Sequence, residues 1–137
     1  MKIYISASIY GGRQKIEIYK KIIERLEDFS EVLNRNVIEK DVIEKEAFQN
    51  DNDIFEDLEN KMRDADLILA EVTVPSLGVG YEIGFSDMIG KKIIAIYDLN
   101  DIEKVSTMIR GNERIKLIGY HKIEEITDNI ERIIDNL

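Results

Sequence analysis

Two carboxylates, Glu71 and Glu82, bracket the segment V-T-V-P-S-L-G-V-G-Y, the stretch of this chain richest in chemical possibility. An ionised carboxylate beside a ligand site can serve as a nucleophile or a general base. The apolar run before it, beginning D-L-I-L-A at Asp66, has the pattern of a strand buried on both faces of a parallel sheet. Pro75 is expected to stop that strand, because its ring has no N–H for the ladder. Gly78 and Gly80 then predict a tight turn, and residues 81–89 resume with helical spacing. Glu71 therefore falls near a strand end and Glu82 in the first turn of a helix, where the dipole favours a carboxylate by about 0.3–1 kcal/mol. A first-turn glutamate more often only compensates the dipole, so spacing alone leaves both roles open.

The glycines run Gly78-x-Gly80-x-x-x-Gly84, one residue too long for a dinucleotide fingerprint, and they follow an internal strand. They do not mark a NAD site. A second glycine turn, Gly11-Gly12, follows the apolar segment at residues 2–8 and is itself followed by Arg13. Flexible backbone, free N–H groups and a guanidinium make it an anion-binding candidate, although Gly-Gly turns also arise for steric reasons alone.

The elements that must position these groups follow from the rest of the pattern. Residues 2–8 read as the first strand, and residues 13–29 as a helix whose inner stripe is Ile16, Tyr19, Ile22, Ile23, Leu26 and Phe29. Residues 31–33 give a short second strand. The polar stretch 34–52 is expected to hold a lid or an irregular helix. A helix capped by Asn52 or Asp53 runs to about Ala65, with Ile54, Phe55, Leu58 and Met62 facing inward and Asp57 on the margin, where a solvated surface charge is the plain reading. Residues 92–97 and 115–119 are further strands, a short helix or turn lies at 105–110, and residues 123–136 form the last helix. His121 reads as a surface or capping residue. Strands alternating with helices imply an α/β fold, a flavodoxin- or Rossmann-like doubly wound five-stranded parallel sheet, and the order 2-1-3-4-5 is expected. That order sets the ends of the first and third strands side by side at the switch point, where ligands bind in such sheets.

Composition bounds the chemistry. The 137 residues, 44% hydrophobic, suit one domain spanning 1–137 with a proper core. Without cysteine there is no disulfide, thiol nucleophile or zinc–thiolate site, and a single His excludes a His-rich metal centre. A net charge of −9 argues against a nucleic-acid-binding surface. No apolar run suits a signal peptide or membrane span, so a cytoplasmic protein is expected. Abundant Lys, Glu and Ile resemble a heat-adapted composition.

Three blocks, YISASIYGGR from Tyr4, ADLILAEVTVPSLGVGYEIG from Ala65 and STMIRG from Ser106, resemble the 2′-deoxynucleoside 5′-monophosphate N-glycosidases of the nucleoside 2-deoxyribosyltransferase superfamily. The match runs in order along nearly the whole chain. It implies that Glu82 is a nucleophile attacking C1′ of deoxyribose, with a glycosyl-enzyme ester that water hydrolyses to free base and 2-deoxyribose 5-phosphate. Tyr4 would orient Glu82, and Asp57 would hold the substrate or protonate the leaving base. The substrate pocket implied is Ala7, Ser8, Ile9, Tyr10, Gly11, Gly12 and Arg13 with Ser76 and Gly78, completed in a homodimer by Ser106 of the neighbouring subunit with Met108 close by. No cofactor, metal, nucleic acid or membrane is implied. Glu71 recurs in the family block and reads more readily as support than as chemistry. It could raise the pKa of Glu82 if the two lie close. The family's loop often reads Gly-Ser-Ile-Arg-Gly-Gly-Arg. Here Ala7 replaces a glycine and Tyr10 replaces a cation that could meet phosphate, which leaves the need for a 5′-phosphate to experiment. Deoxyribosyl transfer to a second base, a CMP-type ribonucleotide N-glycosidase, and a non-catalytic nucleotide-binding module are the competing readings.

Overall fold

A computed structural model describes residues 1–8, 15–39 and 49–137. Ile9, Tyr10, Gly11, Gly12, Arg13, the expected start of the first helix and much of the expected lid region lie outside the described residues. The strands are β1 (Lys2–Ser6), β2 (Glu31–Val32), β3 (Leu67–Glu71), β4 (Lys92–Asp98) and β5 (Ile115–Tyr120). They form one parallel sheet in the order β2-β1-β3-β4-β5, as the alternation of strands and helices predicts. The helices are α1 (Ile16–Glu27), α2 (Asp51–Asp64), α3 (Leu77–Met88), α4 (Thr107–Arg110), α5 (Glu124–Thr127) and α6 (Ile130–Asp135).

Strand alternation sends successive side chains to opposite faces, and the two faces carry separate cores. Ile3, Ile5, Leu67, Leu69, Ile94 and Ile96 pack with Tyr19, Ile22, Ile23 and Leu26 of α1 and with Ile126 and Ile130. Tyr4, Ile68, Ala70, Ile93 and Ala95 pack with Met62 of α2 and with Val79 and Ile83 of α3. Both faces of β3 are buried along its whole length, which is why its sequence is continuously apolar until Glu71.

Several local expectations are corrected. Gly78, Gly80 and Gly84 are not turn residues but lie inside α3, which begins at Leu77. Ser76 is extended and caps it, its Oγ accepting from the Val79 N–H at 3.4 Å. Glycine weakens a helix interior by roughly 0.5–1 kcal/mol relative to alanine, and burial of Val79 and Ile83 against the sheet offsets that cost. Pro75 does not stop β3, whose pairing ends earlier, at Glu71, with one further bond from the Val72 N–H to the Ile96 carbonyl. β1 ends at Ser6 rather than at residue 8. The cap of α2 is Asn50, which accepts from the Asn52 N–H at 2.8 Å. Phe55 is exposed and meets the Tyr81 ring edge-on instead of joining the core. The last helix is broken at Asn129, whose side chain donates to the Glu125 carbonyl and competes with the regular ladder.

The one positive φ among the described residues is at Gly90, at 75°, where the chain leaves α3 to enter β4. Among the described residues nothing lies within 4 Å of a methyl added at Gly80 or Gly90, so alanine there tests backbone conformation. Gly90→Ala is expected to lose about 1–2 kcal/mol, whereas Gly80→Ala gains roughly 0.5–1 kcal/mol. Urea denaturation of the two variants checks this opposition of signs, and a loss at Gly80 would contradict its helical placement.

Candidate active site

β1 aims alternate side chains at α3. Tyr4 and Ser6 share the face on which α2 and α3 pack, and both reach Glu82 in the second turn of α3. The Tyr4 hydroxyl donates to Glu82 Oε1 at 2.7 Å, and the Ser6 hydroxyl donates to Oε2. Each carboxylate oxygen thus receives a charge-assisted hydrogen bond from a different residue of one strand, which fixes the plane of the group. Glu82 is not in the first helical turn, so it lies beyond the reach of the terminal N–H groups. The hydroxyls of β1 take the part that the dipole was expected to play. Glu82 is half-buried and lines a cleft with Tyr4, Ile5, Ala7, Asn34, Asn36, Val37 and Leu58.

The other candidates are placed unevenly around this cleft. Ala7 lines it, and the Ser8 hydroxyl, just beyond β1, is buried with no partner among the described residues. Ser76 and Gly78 stand at the N-terminus of α3. The Ser76 Oγ accepts the capping bond and retains its own O–H to donate. Asp57 does not line the cleft. It is exposed on α2 and pairs with Lys61 one turn on at 2.6 Å, beside Leu58, which does line the cleft. Ser106 is exposed and caps the short α4, accepting from the Met108 N–H at 3.2 Å. Met108 is 81% exposed and shares a depression with Asp87 and Arg114, at the far end of α3 from Ser76. Ser106 and Met108 are thus not brought to Glu82 within one chain. Ile9, Tyr10, Gly11, Gly12 and Arg13 lie outside the described residues.

Glu71 belongs to the opposite face of the sheet. Leu67 and Leu69, which share its parity on β3, pack against α1, while Tyr4 and Ser6 face the other way. The sheet therefore stands between Glu71 and Glu82. Glu71 is 2% exposed, and its Oε1 accepts from the Thr73 hydroxyl and from the Tyr120 hydroxyl, the latter at 3.0 Å. Its Oε2 has no partner among the described residues. Burial pushes the Glu71 carboxyl above its ordinary range, against the opposing pull of Thr73, Tyr120 and the Lys15 ammonium. Burial, followed by the charge of Glu71, pushes the Tyr120 phenol up as well. The cluster continues outward: Thr73 Oγ1 accepts from the Asp98 N–H at 2.9 Å, and Asp98 pairs with Lys15 at 3.0 Å, which holds the Asp98 carboxyl below its usual range.

Sequence reasoning passed over Ser6, Asn34, Thr73 and Tyr120. For Ser6 the signal was present, since Tyr4-x-Ser6 on a strand puts both hydroxyls on one face. The others depend on contacts between distant segments. Among the described residues no group of acids and His is placed to hold a metal ion.

The fold and this cleft define a doubly wound α/β protein with an oriented carboxylate at the switch point of its sheet. Comparison then gives the family: the model for nucleoside 2-deoxyribosyltransferase matches residues 3–117, and the chain belongs to that family. It is 34% identical to the 5-hydroxymethyl-dUMP N-hydrolase of Esox lucius, over 100% of this chain and 98% of that protein. It is 38% identical to the 5-hydroxymethyl-dUMP N-hydrolase of Mus musculus, over 97% of this chain and 79% of the other. A solved structure of a CMP N-glycosidase from Clostridium botulinum superposes with a TM-score of 0.72 at 22% identity, covering 97% of this chain and 99% of that one, a likeness of fold.

The buried Glu71 gives a pH test. Unfolded, it releases its proton near 4.5, whereas folded it keeps the proton to higher pH. The folded state then binds the extra proton between the two values, so this group's contribution to stability is lost as pH rises through the raised pKa. Thermal midpoints of wild type and Glu71→Gln, followed upward from pH 4.5, are expected to diverge, with wild type losing ground to the variant. Parallel curves would show that Glu71 titrates normally.

Proposed function

We propose that this protein hydrolyses the N-glycosidic bond of 2′-deoxynucleoside 5′-monophosphates, releasing the free base and 2-deoxyribose 5-phosphate, with Glu82 as nucleophile. The observation that carries the reading is the carboxylate of Glu82 held at both oxygens by Tyr4 and Ser6 at the edge of the cleft. Its support from relatives is the N-hydrolase activity named for proteins at 34% and 38% identity.

In the first step Glu82 bonds to C1′ as the C1′–N bond breaks, and the base leaves with the electron pair and takes up a proton. Asp57, after exchanging its Lys61 partner for substrate, holds the sugar or relays that proton from solvent water to the base. In the second step water attacks C1′, its proton passes to the Asp57 carboxylate or to solvent, and the ester bond to Glu82 breaks, returning its carboxylate. This is the double displacement of retaining glycosidases, through an oxocarbenium-like transition state. A nucleophile held in one orientation saves the entropy of finding it, which is where Tyr4 and Ser6 contribute.

The phosphate is assigned to the first loop, residues 7–13, with Ser76, Gly78 and the N-terminus of α3 beside it. Ser106 is assigned to the neighbouring site of a homodimer, which accounts for its exposure, and Met108 accompanies it. One domain, residues 1–137, in the cytoplasm completes the reading. The transferase description of the family model favours one second reading, in which a free base rather than water takes the sugar from the same ester.

Incubation with each of the four deoxynucleoside monophosphates is expected to release base, detected by chromatography. Glu82→Gln abolishes release, and Tyr4→Phe lowers kcat by roughly 10- to 100-fold. Removing the 5′-phosphate lowers kcat as well as affinity, because remote binding energy positions C1′. Free adenine added to the reaction distinguishes transfer by yielding a new nucleoside. No release from any substrate would sink the proposal.

Mixing inactive Glu82→Ala and Ser106→Ala protomers is expected to restore activity in heterodimers, since some sites then receive both intact residues. If subunits exchange and activity stays absent, Ser106 does not act across an interface.

A further inference from the structure

The cleft contains an amide whose hydrogen bonds go to backbone. Asn34 is only 4% exposed. Its Oδ1 accepts from the Ile5 N–H at 2.8 Å, and its Nδ2 donates to the Ile5 carbonyl at 2.7 Å. These are the two main-chain groups that a longer β2 would have paired. β2 meets β1 only at Lys2↔Glu31 and Ile3↔Val32, and the Leu33 N–H adds one bond to the Ile3 carbonyl at 3.0 Å. Beyond that point the chain turns away into a 3-10 segment at Arg35–Ile38, and the Asn34 side chain stands in for the missing strand.

The residue so clamped is the one between Tyr4 and Ser6. Both donors to Glu82 come from β1 within a residue of Ile5, and among the described residues no strand pairs with the outer edge of β1 at that height. On the other edge β1 is laddered to β3 through Tyr4↔Ile68 and Ser6↔Ala70. A strand held on one edge can twist about it, and a small twist there would swing both hydroxyls away from Glu82. We propose that Asn34 is a positioning residue for the reaction: by holding Ile5 at both its N–H and its C=O, it fixes the strand segment that aims Tyr4 and Ser6 at Glu82. This rests on the reading of Glu82 as the nucleophile. Asn34 acts through the two hydroxyls.

The test is a mutant cycle on the deoxynucleoside monophosphate that wild type cleaves fastest, read by single turnover at high enzyme concentration. In wild type, Asn34→Ala is expected to lower the chemical rate by roughly 10- to 100-fold while KM moves by less than about threefold. In a Tyr4→Phe, Ser6→Ala background the same change is expected to cost less than about threefold, because no hydroxyls remain to aim. An equal loss in both backgrounds would overturn the inference and leave Asn34 a structural residue. Where the stripped background is too slow to measure, the crystal structure of Asn34→Ala decides. Withdrawal of Tyr4 or Ser6 from hydrogen-bond range of Glu82 supports the role, and two undisturbed bonds refute it. Should Asn34→Ala not fold, Asn34→Asp replaces it in both measurements, keeping the side chain's shape and its acceptor for the Ile5 N–H while losing the donor to the Ile5 carbonyl. Glu82→Gln, run alongside, separates the two levels. If it turns over like wild type, the proposed function has failed. If it is dead while Asn34 and the hydroxyls act additively, only the positioning role has failed.

Discussion

The pair of hydrogen bonds from β1 to Glu82 joins residues that are 78 and 76 positions apart in the chain, and most of the architecture serves to bring them together. β1 must lie beside β3, α3 must return across the sheet from the end of β3, and its inner face must seat Val79 and Ile83 so that Glu82 comes down over Tyr4. A shift of β1 by one residue would turn Tyr4 and Ser6 to the α1 face and present Ile3, Ile5 and Ala7 to the carboxylate instead. The register is protected by burial on both sides, since such a slip would also exchange the side chains of two well-filled cores. The Tyr4–Ser6–Glu82 geometry and the core packing are thus enforced by the same alternation.

That alternation also separates the two glutamates that frame the central segment. Close together in an apolar interior, two ionised carboxylates would repel strongly. On opposite faces of the sheet each is governed by its own neighbours. Glu82 meets two hydroxyls beside an open cleft, while Glu71 is enclosed, with one oxygen satisfied and the other without a partner among the described residues. A buried carboxyl in that condition favours the protonated state, and the adjoining Lys15–Asp98 pair balances its own charge at the rim. Glu71 ties β3 to β5 through Tyr120, and Thr73 ties the segment after β3 to the end of β4. These bonds brace the strand ends from the side away from the cleft.

The sheet order was legible because β3 and β4 are buried on both faces and so read as unbroken apolar runs, alternating with amphipathic helices. The start of α3 was not, because three glycines in a row of short spacings carry a local preference for turns that tertiary burial overrides. Placing the helix start at Tyr81 instead of Leu77 put Glu82 beside the dipole and hid its need for donors from elsewhere. Ser6 was visible as a strand residue but not as a ligand of Glu82, since parity gives the face and not the partner. Asn34 was less visible still, because its role exists only where β2 stops short. Asp57 illustrates the reverse limit. Resemblance singles it out, while its side chain lies along α2 with Lys61.

A chain of net charge −9 that accepts a nucleotide must keep its own acids from repelling the phosphate. Many of them are neutralised locally: Asp57 by Lys61, Glu59 by Arg63, Asp98 by Lys15, and Asp87 by Arg114, which holds the Asp87 carboxyl down to about 2. Beyond roughly 8 Å at physiological salt the remainder is largely screened. What a phosphate meets at close range is then set by the groups nearest it rather than by net charge. On the proposed reading those groups are the first loop with Arg13, the hydroxyls of Ser8 and Ser76, and the N-terminus of α3. A lysine or arginine seated in the cleft would compete with Tyr4 and Ser6 for that carboxylate and draw it out of line. Hydroxyls on β1 orient Glu82 without such competition, which is what the proposed reading asks of a nucleophile beside an anionic substrate.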